Sequence, residues 1–504
     1  MERPSFKRPA PVKVAIPVGA LLDIPTGDWI KGTHGQYVLN AGIGNITGVI
    51  GPGNSFKTTI LRDMVLSAIN RMIETVPDVF YGSYDTEINT HEQRNKRLSF
   101  SFDQLLARAM KLAETTDVGG DIYRASLIDE GIWQMTDKSV YPGNKYFDEL
   151  KTYLKDKRED KKAFKYETAY LDRDGVTPLK VMAPSVTDFD SLTHFITSDV
   201  EKIMDDTELG ESAGNTMYMR QGLAKSRMLL ELPTLASTSG HYFLFTAHIG
   251  TSIQMPSAPG TPPPRKQLQH MNQGEIIKGV TNNFFYLLHN CWLVTSARPF
   301  LNQGTKAPEY PYEPGMETSG DLDLNIVTLK QLRGKNGCSG FSIELLVSQE
   351  EGVLPGLSEF HYIKRMNRFG LEGSDRDYAL LLCPEIRLSR TKVRKAIRES
   401  KRLQRALEIT SQLCQMHEFH RYLADKLVSI EELKKALDEK GYDWDLILEQ
   451  TRGWNTLDDE RHSGYPLSTY DLCRIAKGTY HPYWLEDDCK TIKPKYKKLK
   501  ETTP

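Results

Sequence analysis

Gly51-Pro52-Gly53-Asn54-Ser55-Phe56-Lys57-Thr58-Thr59 stands between an apolar run, Asn45-Ile-Thr-Gly-Val-Ile50, and a stretch with apolar residues at 60, 61, 64, 65, 68, 69, 72 and 73. The first run has the length and content of a short buried strand, and the second spacing places its apolar side chains on one face of a helix. Strand, glycine-containing loop, Lys-Thr and helix in that order is the context a phosphate-binding P-loop requires. Backbone N–H groups of such a loop and of the helix N-terminus point at one spot and attract anions. Lys57 would bring a point charge to the outer phosphates, and the Thr58 hydroxyl would be a ligand for Mg²⁺. The expected nucleotide-binding set is therefore Gly51, Pro52, Gly53, Asn54, Ser55, Phe56, Lys57, Thr58 and Thr59. The generic pattern has a second glycine just before the lysine, and here that place is taken by Phe56.

The bulk properties frame this motif. A chain of 504 residues exceeds what one hydrophobic core usually serves, so two domains or one heavily decorated domain are expected. The net charge of −1 does not distinguish a nucleic-acid partner, so charge has to be read locally. Six cysteines are scattered without a C-x-x-C pair, which argues for a reducing, cytoplasmic setting and against a disulfide or zinc framework. The N-terminus has no apolar signal-type region and no run of 18 apolar residues exists, so a soluble protein with no membrane partner is expected. Residues 1–19 are basic and proline-rich and read as an arm.

Three further segments put polar groups at strand ends. Asp78 to Tyr84 reads as a second buried strand ending in Asp85-Thr86-Glu87. Leu179 to Thr187 reads as another strand running into Asp188-Phe-Asp190-Ser191-Leu192-Thr193, where a carboxylate at the tip suits an Mg²⁺ site. Asp190 is the better candidate, with Asp188 two residues earlier on the same face. His241 to His248 is a third strand, and open parallel sheets bind ligands in the crevice beside such tips, so His248 is placed to sense a γ-phosphate.

Residues 93–165 alternate helix-like segments with charged ones and read as a solvated face. Residues 205–218 form a loop that leads through Arg220 into a helix. The long loop from Ile249 to Thr281 has Glu275 as its one acid, against Arg265, Lys266 and Lys278, and so could couple nucleotide state to a polyanion. Residues 323–347 read as a β-hairpin carrying Lys330, Arg333 and Lys335, either a solvated edge or a finger reaching a neighbouring subunit's nucleotide. Arg387 to Arg405 carries nine Lys/Arg, among them Arg394, Lys395 and Arg398, against the single acid Glu399. That one-sidedness predicts a nucleic-acid-binding face. The basic run from Lys490 to Lys500 reads as a disordered tail.

In this order the motifs resemble the RecA-type recombinases, and most of all the phage branch typified by UvsX. Asp23-Ile-Pro-Thr-Gly27, Gly51-Pro-Gly-Asn-Ser-Phe-Lys57-Thr58, Tyr84-Asp-Thr-Glu87, Asp190-Ser-Leu-Thr193, the segment from Gly214 to Met228 and Thr246-Ala-His248 carry the likeness. A P-loop with Phe before the lysine and a Tyr-Asp-x-Glu second strand are features of that branch. The resemblance spans roughly residues 20–370 as scattered motifs. It implies an α/β RecA-like P-loop ATPase core over 20–375, with insertions at about 90–170 and 250–280, and a mainly helical C-terminal domain over 376–504. It also implies ATP and Mg²⁺ as cofactors and DNA-dependent ATP hydrolysis. Glu87 would activate water, Asp190 and Thr58 would hold Mg²⁺, and His248 would sense the γ-phosphate. One or more of Lys330, Arg333 and Lys335 would act in trans. The expected partners are single-stranded DNA, through the two loops and the basic run, and further copies of the chain in a helical filament or hexameric ring. Phage replication and recombination proteins would join them in a host cell's cytoplasm. Strand exchange in DNA recombination, repair and replication is the favoured activity. A DnaB-type ring helicase and an annealing or binding protein are the alternatives. The basic tail departs from the acidic tail of the family's bacterial members.

Overall fold

Ile46–Gly51 (β1), the strand that feeds the P-loop, lies in the interior of a ten-stranded sheet. The other strands are Phe80–Asp85 (β2), Trp133–Asp137 (β3), Ser185–Asp190 (β4), His241–Thr251 (β5), Glu275–Ile277 (β6), Asn290–Pro299 (β7), Leu324–Gly334 (β8), Ser342–Ser348 (β9) and Gly352–Val353 (β10). They are ordered β10-β9-β8-β7-β1-β5-β4-β2-β3, with β6 paired to β5. From β7 to β3 every pairing is parallel, whereas β8, β9 and β10 add an antiparallel edge. The computed structural model describes all residues except 1–12, 74, 77–78, 117, 161–163, 207–212, 252–265, 281, 336, 375, 455–463 and 502–504.

β1 and β4 are buried along their whole length, and β2 nearly so, because both faces of the sheet are covered. Alternate side chains go to opposite sides. Val49, Tyr81, Val186 and Leu244 pack with the helix Lys57–Met72 (α1) on one face. Ile50, Tyr84, Phe189, Phe243 and Phe245 pack on the other, against the helix Gly143–Glu159 (α2) and Met228, Leu229 and Leu232 of the helix Ala213–Ser239 (α3). Parallel strands with helices on both faces leave the carboxyl ends of β1, β5, β4 and β2 side by side, where such sheets hold ligands.

A third apolar cluster ties the end of the chain to its beginning. Ile24, Leu39 and Ala41 share it with Leu346, Phe360 and the helix Lys401–Phe419 (α4). Gln415 donates to the Leu21 carbonyl, and the Tyr37 N–H donates to Asp471. The region after residue 376 is not helical throughout, since Leu371–Ser374, Asp377–Leu380 and Cys383–Leu388 form a three-stranded sheet. No helix among the described residues is long and apolar enough to cross a membrane.

Several boundaries differ from the sequence reading. Residues 13–19 are not a free arm, because Val14, Ile16 and Val18 are buried and Ile16 bridges Ile43. The run from Leu179 breaks at Ala183-Pro184. Pro178–Met182 pairs with Lys165–Leu171 outside the main sheet, and β4 starts only at Ser185. Residues 93–165 supply an edge strand, β3, besides a solvated surface. The basic tail is anchored, with Ile492 bridged to Leu485, Tyr496 edge-to-face with Tyr483 and Pro494–Glu501 helical.

Candidate functional site at the strand tips

The loop after β1 packs closely around its first glycine. A Cβ on Gly51 would lie 3.0 Å from Val294 Cβ. Asn54 and Phe56 both take positive φ, 51° and 63°, and Phe56 is the N-cap of α1. The glycine of the generic motif would meet that left-handed geometry at no cost, so Phe56 holds a conformation unfavourable for its type. Its ring is half-buried against the same cluster as α1. Pro52, Gly53 and Asn54 are exposed, while Ser55 is buried and donates to the Pro52 carbonyl.

Lys57 is buried, and its Nζ donates to the Pro52 carbonyl of its own loop. Desolvation lowers its pKa, against the opposing pull of Asp190 and Glu87. Thr58 Oγ1 donates to Asp190 Oδ2 at 2.7 Å, joining the first turn of α1 to the tip of β4. Thr246, on β5, donates to the other Asp190 oxygen, and the buried Arg62 guanidinium lies 3.9 Å from Oδ2. Asp188 does not share this position. It is fully buried and accepts from Tyr81 and Ser83 on β2, and burial raises its pKa to about 6.

Register brings the other candidates to the same level. Gly51 stands opposite His248 and Asp85 opposite Asp190. The Asp85 carboxylate accepts from the backbone N–H groups of Glu87, Ile88, Asn89 and Thr90, at 2.7, 3.0, 2.9 and 2.8 Å. It is thus committed to shaping the turn that presents Glu87. Ile88 in that turn has φ of 55° and is exposed. Glu87 Oε1 meets His248 Nε2 at 2.9 Å, Ser191 Oγ at 3.0 Å and His194 Nδ1 at 3.2 Å. Burial raises the Glu87 pKa, but the hydrogen bonds from His248 and Ser191 and the two nearby imidazoles outweigh it, leaving the group below the ordinary glutamate value.

His248 is not the end of its strand. β5 continues to Thr251 and pairs antiparallel with β6, with Ile249 opposite Ile277, and the Lys278 N–H donates to the His248 carbonyl. Lys266 and Lys278 are exposed near this ribbon, and Arg220 is exposed on α3; Arg265 lies outside the described residues. Farther along α3, Lys225 is buried and donates to the carbonyls of Leu192, Thr193 and Gly279, with its pKa lowered to about 8 by desolvation.

The basic residues elsewhere are differently placed. Arg333 and Lys335 donate to the carbonyls of Leu288 and Leu287, and Lys330 lies half-buried on β8 opposite Leu293. The run 387–405 is not the free cationic face that its composition predicts. Arg394 is buried and pairs with Asp323 and Glu351. Lys395 and Arg398 both pair with Glu313, and Arg398 also stacks on Tyr312. Arg402 and Arg405 are likewise bonded to Glu385, Asp445, Glu449 and Glu408. These charges are satisfied within the fold, so they are positioned as internal ties.

The site also contains groups that the sequence reading did not select: Arg62, Thr246, Ser191 and His194, and Arg94, whose Nη2 donates to Thr59 Oγ1 at 3.3 Å. Arg62 stands four residues after Thr58, one helical turn on, which is a usable signal. His194 follows Asp190 closely but in a short 3-10 turn whose geometry the sequence does not specify. The chain matches no protein-family model and no curated protein sequence.

Proposed function

We propose that the chain is an ATP-dependent recombinase of the RecA-like kind, nearest to the phage branch, that assembles on single-stranded DNA. The observation carrying this reading is the meeting of Lys57, Thr58, Asp190, Glu87 and His248 at neighbouring tips of parallel strands. Thr58 and Asp190 present hydroxyl and carboxylate oxygens in contact, a donor set that fits Mg²⁺. When bound, the ion would neutralise charge on the phosphates. Lys57 would exchange its loop carbonyl for a phosphate oxygen and stabilise the charge developing there. Glu87, kept ionised by its donors, would accept the proton of the attacking water. His248 would link that carboxylate to the ribbon of β5 and β6, beside which the exposed Lys266 and Lys278 would contact DNA phosphates.

The hairpin supports a shared interface. Asn290 stands between Gly334 and Thr47, so the hairpin turn is level with the early part of β1, and Gly51 is roughly 13 Å farther on, at about 3.3 Å per residue. Arg333 and Lys335 would therefore serve the nucleotide of another copy.

ATP hydrolysis measured with and without single-stranded DNA tests the reading. DNA should stimulate turnover, and Glu87→Gln should lower it by at least about a hundredfold while nucleotide binding persists. Turnover at the wild-type rate in Glu87→Gln would remove Glu87 from its role. Electron microscopy with DNA and a slowly hydrolysed ATP analogue should reveal open filaments. Closed hexamers would move the protein to the helicase class.

A further inference from the structure

The donors around Glu87 have a second chemical meaning. Two imidazole nitrogens converge on one carboxylate oxygen, with His248 Nε2 at 2.9 Å and His194 Nδ1 at 3.2 Å. One ligand atom from each of the three residues lies within 4.8 Å of the other two. The rings stand 5.6 Å apart and 68° to one another, so neither blocks the other's approach to a common point. Tetrahedral coordination with bonds of about 2.0–2.1 Å separates ligand atoms by about 3.3 Å. The two nitrogen-to-carboxylate separations lie within a few tenths of an ångström of that spacing.

We propose that Glu87, His194 and His248 form a binding site for a transition-metal ion of the Zn²⁺ or Co²⁺ type, distinct from the Thr58–Asp190 pair. Two nitrogens and one carboxylate suit such ions, whereas Mg²⁺ keeps to oxygen. The three ligands come from three adjacent strand tips whose backbones are tied together. The Thr86 N–H donates to the Asp190 carbonyl, Ser191 N–H to Thr86 Oγ1, and His248 N–H to Thr193 Oγ1. Among the described residues, Ser191 Oγ, 3.0 Å from Glu87 Oε1, is the one further donor on that oxygen and would have to turn aside or bond the ligand from outside. The His194 side chain is 51% exposed, which leaves a coordination position open to water. Three protein ligands plus an open position is the arrangement of accessible rather than closed metal sites.

Occupancy has a direct consequence, which rests on the ATPase reading while the site itself does not. Coordination through Oε1 lowers the basicity of the Glu87 carboxylate and holds it on the ion, so the ion would slow hydrolysis by drawing Glu87 away from the attacking water.

The test is a titration of the full, nucleotide-free chain with Co²⁺, followed by its visible d–d absorption and reversed by Zn²⁺. One equivalent should bind in millimolar Mg²⁺, and His194→Ala and His248→Ala should each weaken binding by at least about tenfold. Circular dichroism verifies that both variants are folded. Absence of one-to-one binding in the wild type, or unchanged affinity in His194→Ala, would overturn the site. Zn²⁺ should then inhibit DNA-stimulated hydrolysis with a midpoint that rises at least about tenfold in His194→Ala. An unchanged midpoint would overturn the regulatory consequence. A wild type that hydrolyses no ATP would instead defeat the proposed function, and the cobalt titration would still decide the metal site.

Discussion

Single side chains carry two of the sharpest consequences. Phe56 sits at φ 63°, where a residue with a Cβ is strained by about 1–2 kcal/mol, a β-branched one most of all, and glycine is not. Phe56→Gly should keep nucleotide affinity, whereas Phe56→Val should lower it about tenfold in a fluorescent-nucleotide titration. Asp85 uses both carboxylate oxygens to accept four backbone N–H groups, while an amide offers one oxygen. Asp85→Asn should therefore loosen the turn beneath Glu87. Its kcat should fall by about tenfold or more, while its KM for ATP should change little, because the hydrogen bonds of Lys57 and Thr58 go to Pro52 and Asp190.

At the scale of elements, Lys157 ties the end of α2 to the chain entering β4, beside the apolar packing of that helix. Lys157 is buried, and its Nζ donates to the Ala183 carbonyl and to Ser185 Oγ, which also meets His241 Nδ1 at 2.7 Å. Desolvation lowers its pKa from 10.5 to about 7. Between those values the unfolded chain holds a proton that the folded chain lacks, so stability rises with pH across that window and the penalty is complete below it. Urea unfolding should then show Lys157→Met at its most favourable relative to wild type at pH 7 and below, with the advantage shrinking toward pH 10. The sequence disclosed the elements that build the site because each joins an apolar run to a polar tip. β1 with its P-loop, β2 with Glu87, β4 with Asp190 and β5 with His248 were all legible in that way. β3 was not, since Trp-Gln-Met-Thr-Asp is too short and mixed to show a period, and its neighbour β2 supplies the missing context. His194 was hidden for a different reason. Its role depends on β4 lying beside both β2 and β5, which is a tertiary fact.

For the whole molecule, charge is balanced across long separations. Among the described residues, most acids paired with the run 387–405 lie before it, at Asp103, Glu313, Glu317, Asp323, Glu351, Asp377 and Glu385, or after it, at Glu408, Asp445 and Glu449, and only Glu399 lies inside it. A local window sees mostly cations, which is why composition alone suggests a DNA-binding face. Arg394→Met should lower the urea midpoint, at a cost of about 2 kcal/mol, because Asp323 and Glu351 lose their shared partner. It should leave the salt dependence of single-stranded DNA binding unchanged. Lys266→Ala should do the reverse, holding stability and reducing the salt slope by about 0.7. Finally, the hairpin turn and the P-loop stand at different levels of one sheet. Where the proposed trans contact repeats head to tail, a copy would offer its hairpin to one neighbour and receive one from another, so the two faces of contact would be unlike and the assembly would have a direction. In an open filament one terminal copy would keep an unused hairpin, and the copy at the far end would hold a nucleotide that no neighbour serves.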